Sequence, residues 1–238
     1  VDGSVELARE GSDWAALAQG TTLRAGDRIR TRSAGLARIE ASPSSFTLSG
    51  DARLSLARVP VLSIRLEEGR VELHAGGNQK LELSTSEATI RGTGSAVVRR
   101  EVGRTLVSAL AGSFEVAARG RHLELTANTG VVIGAKDASF TRVPLPLAPA
   151  GVDPGTDPRY MASNESVALT FVSDARSHHL QVLAIDSDET VIERDVTRPP
   201  ASLLVPWPGT FRWRVASISD EGLEGPPSKE GLLAVVTR

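Results

Sequence analysis

Four polar groupings in this chain have residue types that could do chemistry: His178-His179, Asp186-Ser187-Asp188-Glu189, Glu67-Glu68 and Arg91-Gly92-Thr93-Gly94. The paired histidines suggest a metal site. Neighbouring strand residues point to opposite faces, however, so the two rings cannot chelate one ion together, and no carboxylate stands at ligand spacing. A core position for His178 and a solvated one for His179 is the expectation. The acidic run lacks the glycine and distal bidentate glutamate of a calcium loop, so adventitious calcium binding is the most it predicts. Glu67-Glu68 reads as a solvated turn. Arg91-Gly92-Thr93-Gly94 has the look of a phosphate loop without its lysine, and Ala96-Val97-Val98 continues it as strand. It reads better as a glycine corner where strands approach closely. Serine, histidine and aspartate occur, but none in Gly-x-Ser-x-Gly or another nucleophile setting. Arg99-Arg100 and Arg119-Gly120-Arg121 read as solvated basic turns. Of the tryptophans, Trp213 is assigned to packing, Trp14 to the N-terminal edge of the first domain, and Trp207 to a lid over a core or a carbohydrate platform. The sequence therefore predicts no catalytic, cofactor-binding or metal-ligating residue, no cofactor and no enzyme.

The totals agree with a chain built for shape. At 238 residues there is room for one large or two ordinary domains. Aromatics make up only 4 %, so the core must come from small and branched aliphatics, which suit strands. There is no cysteine, hence no disulfide and no thiolate chemistry. No apolar run approaches the about 20 residues of a spanning helix. The chain begins at Val1 without a methionine or a signal pattern, the expectation for a processed product or an excised piece with any anchor upstream. A net charge of −2 offers no reason to expect nucleic acid as partner. Residues 1–143 hold 19 Lys and Arg against 16 Asp and Glu, and residues 144–238 hold 8 against 13. That opposite polarity suits domain contact or head-to-tail association, or is compositional drift.

Period-two alternation runs through most of the chain. Examples are Ala37-Ile39-Ala41, Phe46-Leu48, Leu54-Leu56 after a Gly50-Asp51 turn, Leu62-Ile64-Leu66, Val107-Ala109, Phe114-Val116 and Leu123-Leu125. Each puts one strand face on a core. Helical periodicity is confined to a turn or two at residues 12–17. Gly69-Arg70-Val71-Glu72-Leu73 with Leu81-Glu82-Leu83 echoes Gly112-Ser113-Phe114-Glu115-Val116 with Leu123-Glu124-Leu125, which predicts two similar hairpins in stacked or rolled layers. Five prolines in residues 144–158 predict an extended, stiff linker that joins no ladder. It divides a first all-β domain, residues 1–143, from a second, residues 159–238. In the second, Val167-Leu169-Phe171, His178-Leu180-Val182 and Phe211-Trp213-Val215 predict a β-sandwich.

The first domain resembles the FecR domain over roughly residues 1–135. The resemblance rests on Gly26-Asp27 with Ile29 and Thr31, the hairpin over residues 37–48, Leu66-x-x-Gly69-x-Val71, Thr85-x-x-Ala88-x-Ile90-Arg91-Gly92-Thr93 and Gly112-x-Phe114-x-Val116. Ser42-Pro43-Ser44-Ser45 departs from the family, which usually has an Asp-Gly turn there. The second domain is similar to fibronectin type III modules through Gly209-Thr210-Phe211-x-Trp213-Arg214-Val215 and Gly222-Leu223-Glu224-Gly225-x-x-Ser228. Phe171 and His178 take the positions of its usual strand-B tryptophan and strand-C tyrosine. The resemblance implies an all-β chain: a curled, solenoid-like or sandwich-type first domain, then a sandwich. It further implies a place in a Gram-negative periplasm or at the cell surface, and a non-catalytic role in binding other envelope proteins or a second copy, by surface complementarity and strand addition at exposed edges. Two alternatives accompany it: the periplasmic sensor part of an anti-sigma regulator, and a peptidoglycan or glycan ligand module.

Overall fold

A computed structural model describes residues 5–32, 35–58, 63–77, 81–134, 140–155, 157–163, 165–187 and 190–236. Strands account for all the regular structure among them, in two compact units, Val1–Pro144 and Leu145–Arg238.

The first unit contains β1 (Val5–Ala8), β2 (Ala15–Ala16), β3 (Arg28–Thr31), β4 (Leu36–Ala41), β5 (Ser44–Arg58), β6 (Ser63–Ala75), β7 (Leu81–Ser84), β8 (Thr89–Glu101), β9 (Arg104–Ala118), β10 (Arg121–Thr126), β11 (Thr129–Gly134) and β12 (Val143–Pro144). They form one sheet of twelve strands. Four of them, β5, β6, β8 and β9, run 13 to 15 residues, and each changes partner halfway. The first half of β5 pairs with β4, its second half with β3. The first half of β6 pairs in parallel with β7, its second half with β8. The first half of β9 pairs with β11 and its second half with β10. One sheet thus supplies two layers. Their inward rows, such as Leu54, Ile64, Ile90 and Phe114 on one and Phe46, Val71, Val98 and Val107 on the other, merge into a single buried cluster.

Glycine makes the fold-over possible. Gly94 and Gly112 face each other across β8 and β9 at φ of 105° and 79°, beside a register shift at Ser95/Ala96. A Cβ on Gly94 would stand 2.2 Å from the Ala111 carbonyl oxygen, and one on Gly112 2.1 Å from that of Thr93. The predicted glycine corner is this bend. The expected Gly50-Asp51 turn is its counterpart on β5. Both residues take positive φ, 50° and 48°, but the strand continues through them as a bulge, opposite Gly69 on β6.

Other expectations need correction. Residues 12–17 form no helical turn; Ala15–Ala16 is a short strand paired with β1. The sequence echo does not produce equivalent hairpins. Phe114 pairs with Leu125 across a tight turn, whereas Val71 and Leu73 pair with Val98 and Ala96, and Leu81–Ser84 joins β6 elsewhere, in parallel. The same alternation serves either pairing, because the partner's register decides.

The second unit adds β13 (Ala150–Asp153), β14 (Arg159–Ala162), β15 (Ser166–Val172), β16 (Ser177–Ala184), β17 (Thr190–Val196), β18 (Ala201–Leu204), β19 (Gly209–Ile218), β20 (Glu224–Pro227) and β21 (Gly231–Val236). A three-stranded sheet, β13-β15-β18, and a six-stranded one, β14-β21-β19-β16-β17 with β20 on β19, share one core. Trp213 lies at its centre, fully buried, with Nε1 donating to the Pro154 carbonyl at 3.0 Å. The segment read as a free linker therefore carries a strand. Residues 150–153 sit between Pro149 and Pro154, retain their donors and form a sheet edge, where flanking proline is tolerated.

Candidate functional site

Two of the first unit's motifs build separate hydrogen-bonded turns. Between β7 and β8, Thr85 Oγ1 accepts the amides of Glu87 and Ala88 at 3.2 and 3.0 Å, closing the turn. Thr105 on β9 donates onto this turn, with Oγ1 at 2.9 Å from Thr85 Oγ1 and 2.8 Å from Glu87 Oε2. Arg100 grips both Glu87 oxygens at 3.2 Å and also donates to the Glu67 carbonyl. Burial pushes the Glu87 carboxyl up, but hydrogen bonds from Ser86, Thr105 and Arg100 outweigh it and hold it below its ordinary range. Thr85-x-x-Ala88 is thus a staple joining the start of β8 to its far half. Gly26-Asp27 works the same way: the buried Asp27 carboxylate accepts the Arg24 amide at 2.8 Å, while the backbone of Gly26 and Asp27 bonds Leu56.

Several polar expectations change here. Arg99-Arg100 is not a basic turn, because the hairpin turns at Val102-Gly103 and Arg100 is committed to Glu87. Glu67-Glu68 lies within β6, where Glu68 pairs with Arg53 at 3.3 Å. His178 is fully buried, edge-on to Phe171 with ring centroids 4.8 Å apart. Its burial, opposed more weakly by the backbone at Thr197 and Val196, lowers its pKa from 6.5. His179 is not solvated. It points to the other face, as alternation requires, but is 5 % exposed, with Nδ1 2.7 Å from Asp195 and Nε2 2.5 Å from Glu193. Alternation set its direction and could not reveal two carboxylates on β17 waiting there. Asp186 is exposed in the turn after β16, and Asp188 and Glu189 lie outside the described residues. Arg119 donates to the Gly134 carbonyl at 2.7 Å. No group of three or more His, Asp or Glu among the described residues could hold a metal ion.

What remains for recognition is surface. Trp207 is 48 % exposed, so it is no closed lid. The edge strand β17 carries Glu193, Arg194 and Asp195, and Arg194 donates to the Ser202 carbonyl of β18, so charge guards both of these edges. On the first unit, Trp14 lies under Arg30, with the guanidinium carbon 4.4 Å from the ring centroid, and beside Arg28 at 5.5 Å. Arg30 bonds Glu6 at 2.5 Å, and Arg32 bonds the same carboxylate at 3.3 Å; both arginines hold the Glu6 carboxyl below its ordinary range. Arg53 and Arg65 come to the same face from β5 and β6. The Arg28-Ile29-Arg30 alternation was visible in the sequence. The addition of Arg53 and Arg65 depends on register.

No helix of the described residues is long and apolar enough to cross a membrane. No family model matches the chain, and no curated protein matches it. Among solved structures it is similar to two crystal structures of a candidate anti-sigma factor from Parabacteroides distasonis ATCC 8503. Identity is 14 % in both, with TM-scores of 0.44 and 0.43, over 50 % of this chain and 59 % of that one. It is also similar to the extracellular domain of a candidate one-component system from B. thetaiotaomicron, with a TM-score of 0.25 and 6 % identity over 84 % of this chain and 36 % of that one. The chain thus spans less than two thirds of the length of the structures it matches.

Proposed function

We propose that this chain is a non-catalytic cell-envelope module that binds other proteins: a FecR-type domain followed by a fibronectin type III-like domain, in a Gram-negative periplasm or at the cell surface. One observation carries the reading. The residues that give the first unit its FecR resemblance, Asp27, Thr85, Gly92 and Gly112, build turns, a bend and a close strand approach, so the resemblance describes a scaffold. Function then rests on what the sheets display. Photo-crosslinking in the envelope tests this directly. A stable protein complex is the expected outcome, and hydrolysis of glycan or peptide by the purified chain would end the proposal.

The half-exposed Trp207 favours a second reading, a glycan or peptidoglycan ligand module. It predicts retention on cell-wall sacculi and loss of that retention in Trp207→Ala. The sensor part of an anti-sigma regulator is a special case of protein binding. The full gene product separates it from a scaffold: a small helical domain and one membrane span upstream would favour signalling.

A further inference from the structure

The outer face of β3, β5 and β6 is organised in a way that folding alone does not require. Arg30 and Arg53 stand directly opposite each other in register, a like-charge arrangement that opposes strand pairing. Glu6 and Glu68 moderate this, one at each side. In the next row on the same face, Arg28 opposes Ser55 and Ser55 opposes Arg65. Both of these arginines are exposed, and neither has a carboxylate partner among the described residues. With strands about 4.8 Å apart and alternate residues about 7 Å apart, the four guanidinium stems form a small two-dimensional grid. Trp14 holds one corner of it by cation–π contact with Arg30 and Arg28.

The same face also shows where the grid ends. Beyond β6, the row of Arg65 passes to the uncharged Ser84 and Thr89, and the neighbouring row on the same face runs from Ser63 through Glu82, Arg91, Glu115 and Glu124, so carboxylates stand beside the far end of the grid. A long uniform polyanion such as a nucleic acid would have to cross those carboxylates. A lipid surface would ask for apolar side chains to insert, and none of the large exposed hydrophobic residues lies on β1, β3, β5 or β6. A sugar would need the Trp14 ring, over which Arg30 already sits. A short extended peptide meets none of these obstacles. Carboxylates at alternate positions of a strand repeat every about 7 Å, the spacing of Arg28 and Arg30, and guanidinium forks pair with them in two parallel hydrogen bonds.

We propose that the Arg28, Arg30, Arg53 and Arg65 face binds an extended acidic segment of a partner protein, with alternate carboxylates seated on the arginines. The proposal rests on the protein-binding reading above and names the chemistry of the partner.

The test uses the full chain and fluorescence anisotropy with a labelled extended peptide of about six residues bearing glutamate at alternate positions, and the same peptide with glutamine there. The glutamate peptide binds, the glutamine peptide does not, and binding weakens as salt rises. Replacing both exposed cations, Arg28→Ala with Arg65→Ala, weakens binding about tenfold or more while the melting temperature stays near that of the parent chain. Absence of glutamate-peptide binding, equal binding of the glutamine peptide, an undiminished double variant, or tighter binding of an oligothymidine or of anionic vesicles overturns the proposal. Envelope crosslinking keeps the two ideas apart. A double variant that still captures the protein partner sinks this face as the contact and leaves the protein-binding reading standing, whereas a parent chain that captures no protein sinks that reading.

Discussion

Glu87→Gln is the sharpest perturbation of the first unit. In the folded chain the Glu87 side chain is 6 % exposed and accepts from Thr105, Ser86 and both forks of Arg100. Glutamine has nearly the same shape, but it removes the charge and turns an NH2 donor toward donors. Hydrogen bonds to charged groups contribute about 1.5–3 kcal/mol, and removing one partner of a buried pair costs about 3–5 kcal/mol. Arg100 is 21 % exposed, and water recovers part of the loss. The expected destabilisation is therefore about 2–4 kcal/mol at neutral pH, a large fraction of a typical domain's stability.

The pH dependence supplies a second signature. The folded Glu87 carboxyl lies below its ordinary 4.5. Its stabilisation is therefore complete above that value and is lost as pH falls through the depressed folded value. The gap between parent and Glu87→Gln should be widest near neutrality and close below about pH 4.5. Urea unfolding of the full chain, read by hydrogen exchange in peptides from β8 and β9, measures it without interference from the second unit. Adding Arg100→Met should restore part of the loss, since the stranded cation goes with it. A difference below about 1 kcal/mol at neutral pH, or a gap that acid leaves unchanged, would show that Glu87 decorates the turn without holding it.

Three further outcomes follow from other places in the fold. Gly94→Ala should cost about 3 kcal/mol or more, because its Cβ meets the Ala111 carbonyl and φ is 105°, while Gly103→Ala, at 76° in open space, should cost only about 1 kcal/mol; equal thermal shifts would refute the bend. His178→Phe should leave stability at pH 8 within about 1 kcal/mol of the parent. The parent's folded His178 is held below 6.5, so its second unit loses stability as pH falls beneath that value and the Phe variant gains on it there; parallel pH profiles for the two chains would contradict this. Trp213→Phe should cost about 2–4 kcal/mol and speed hydrogen exchange in residues 150–153, since the Pro154 carbonyl loses its donor; unchanged exchange there would detach that strand from the core.

The all-β character was legible because alternation is local. Phe46, Leu48, Val107 and Trp213 all fall on the core face that their period-two spacing assigns. The glycine corner was legible too, since Gly92-Thr93-Gly94 has few uses inside a strand other than close approach. What alternation cannot convey is partner and register. Gly50-Asp51 has the composition of a hairpin turn, and only the opposing Gly69 makes it a bulge in a continuing strand. Prolines in residues 144–158 spoke against a ladder, yet the four residues between Pro149 and Pro154 keep their donors and reach β15. His179 pointed where it should; its solvent was replaced by Glu193 and Asp195, fourteen and sixteen positions later.

The arginine face illustrates the same division at the level of function. Counted along the chain, Arg28, Arg30, Arg53 and Arg65 are scattered among carboxylates in a unit of small net charge. Counted across the sheet, they are neighbours, because β3, β5 and β6 are consecutive strands and each presents its outward parity at the same height. A slip of one residue between β3 and β5 would carry Arg28 and Arg30 to the core side and Ile29 to the solvent. The core therefore enforces the cationic grid: burying Ile29, Leu54 and Leu66 sets the register, and that register places the four cations together. Any partner that reads this surface is reading the hydrophobic pattern of the fold from its other side.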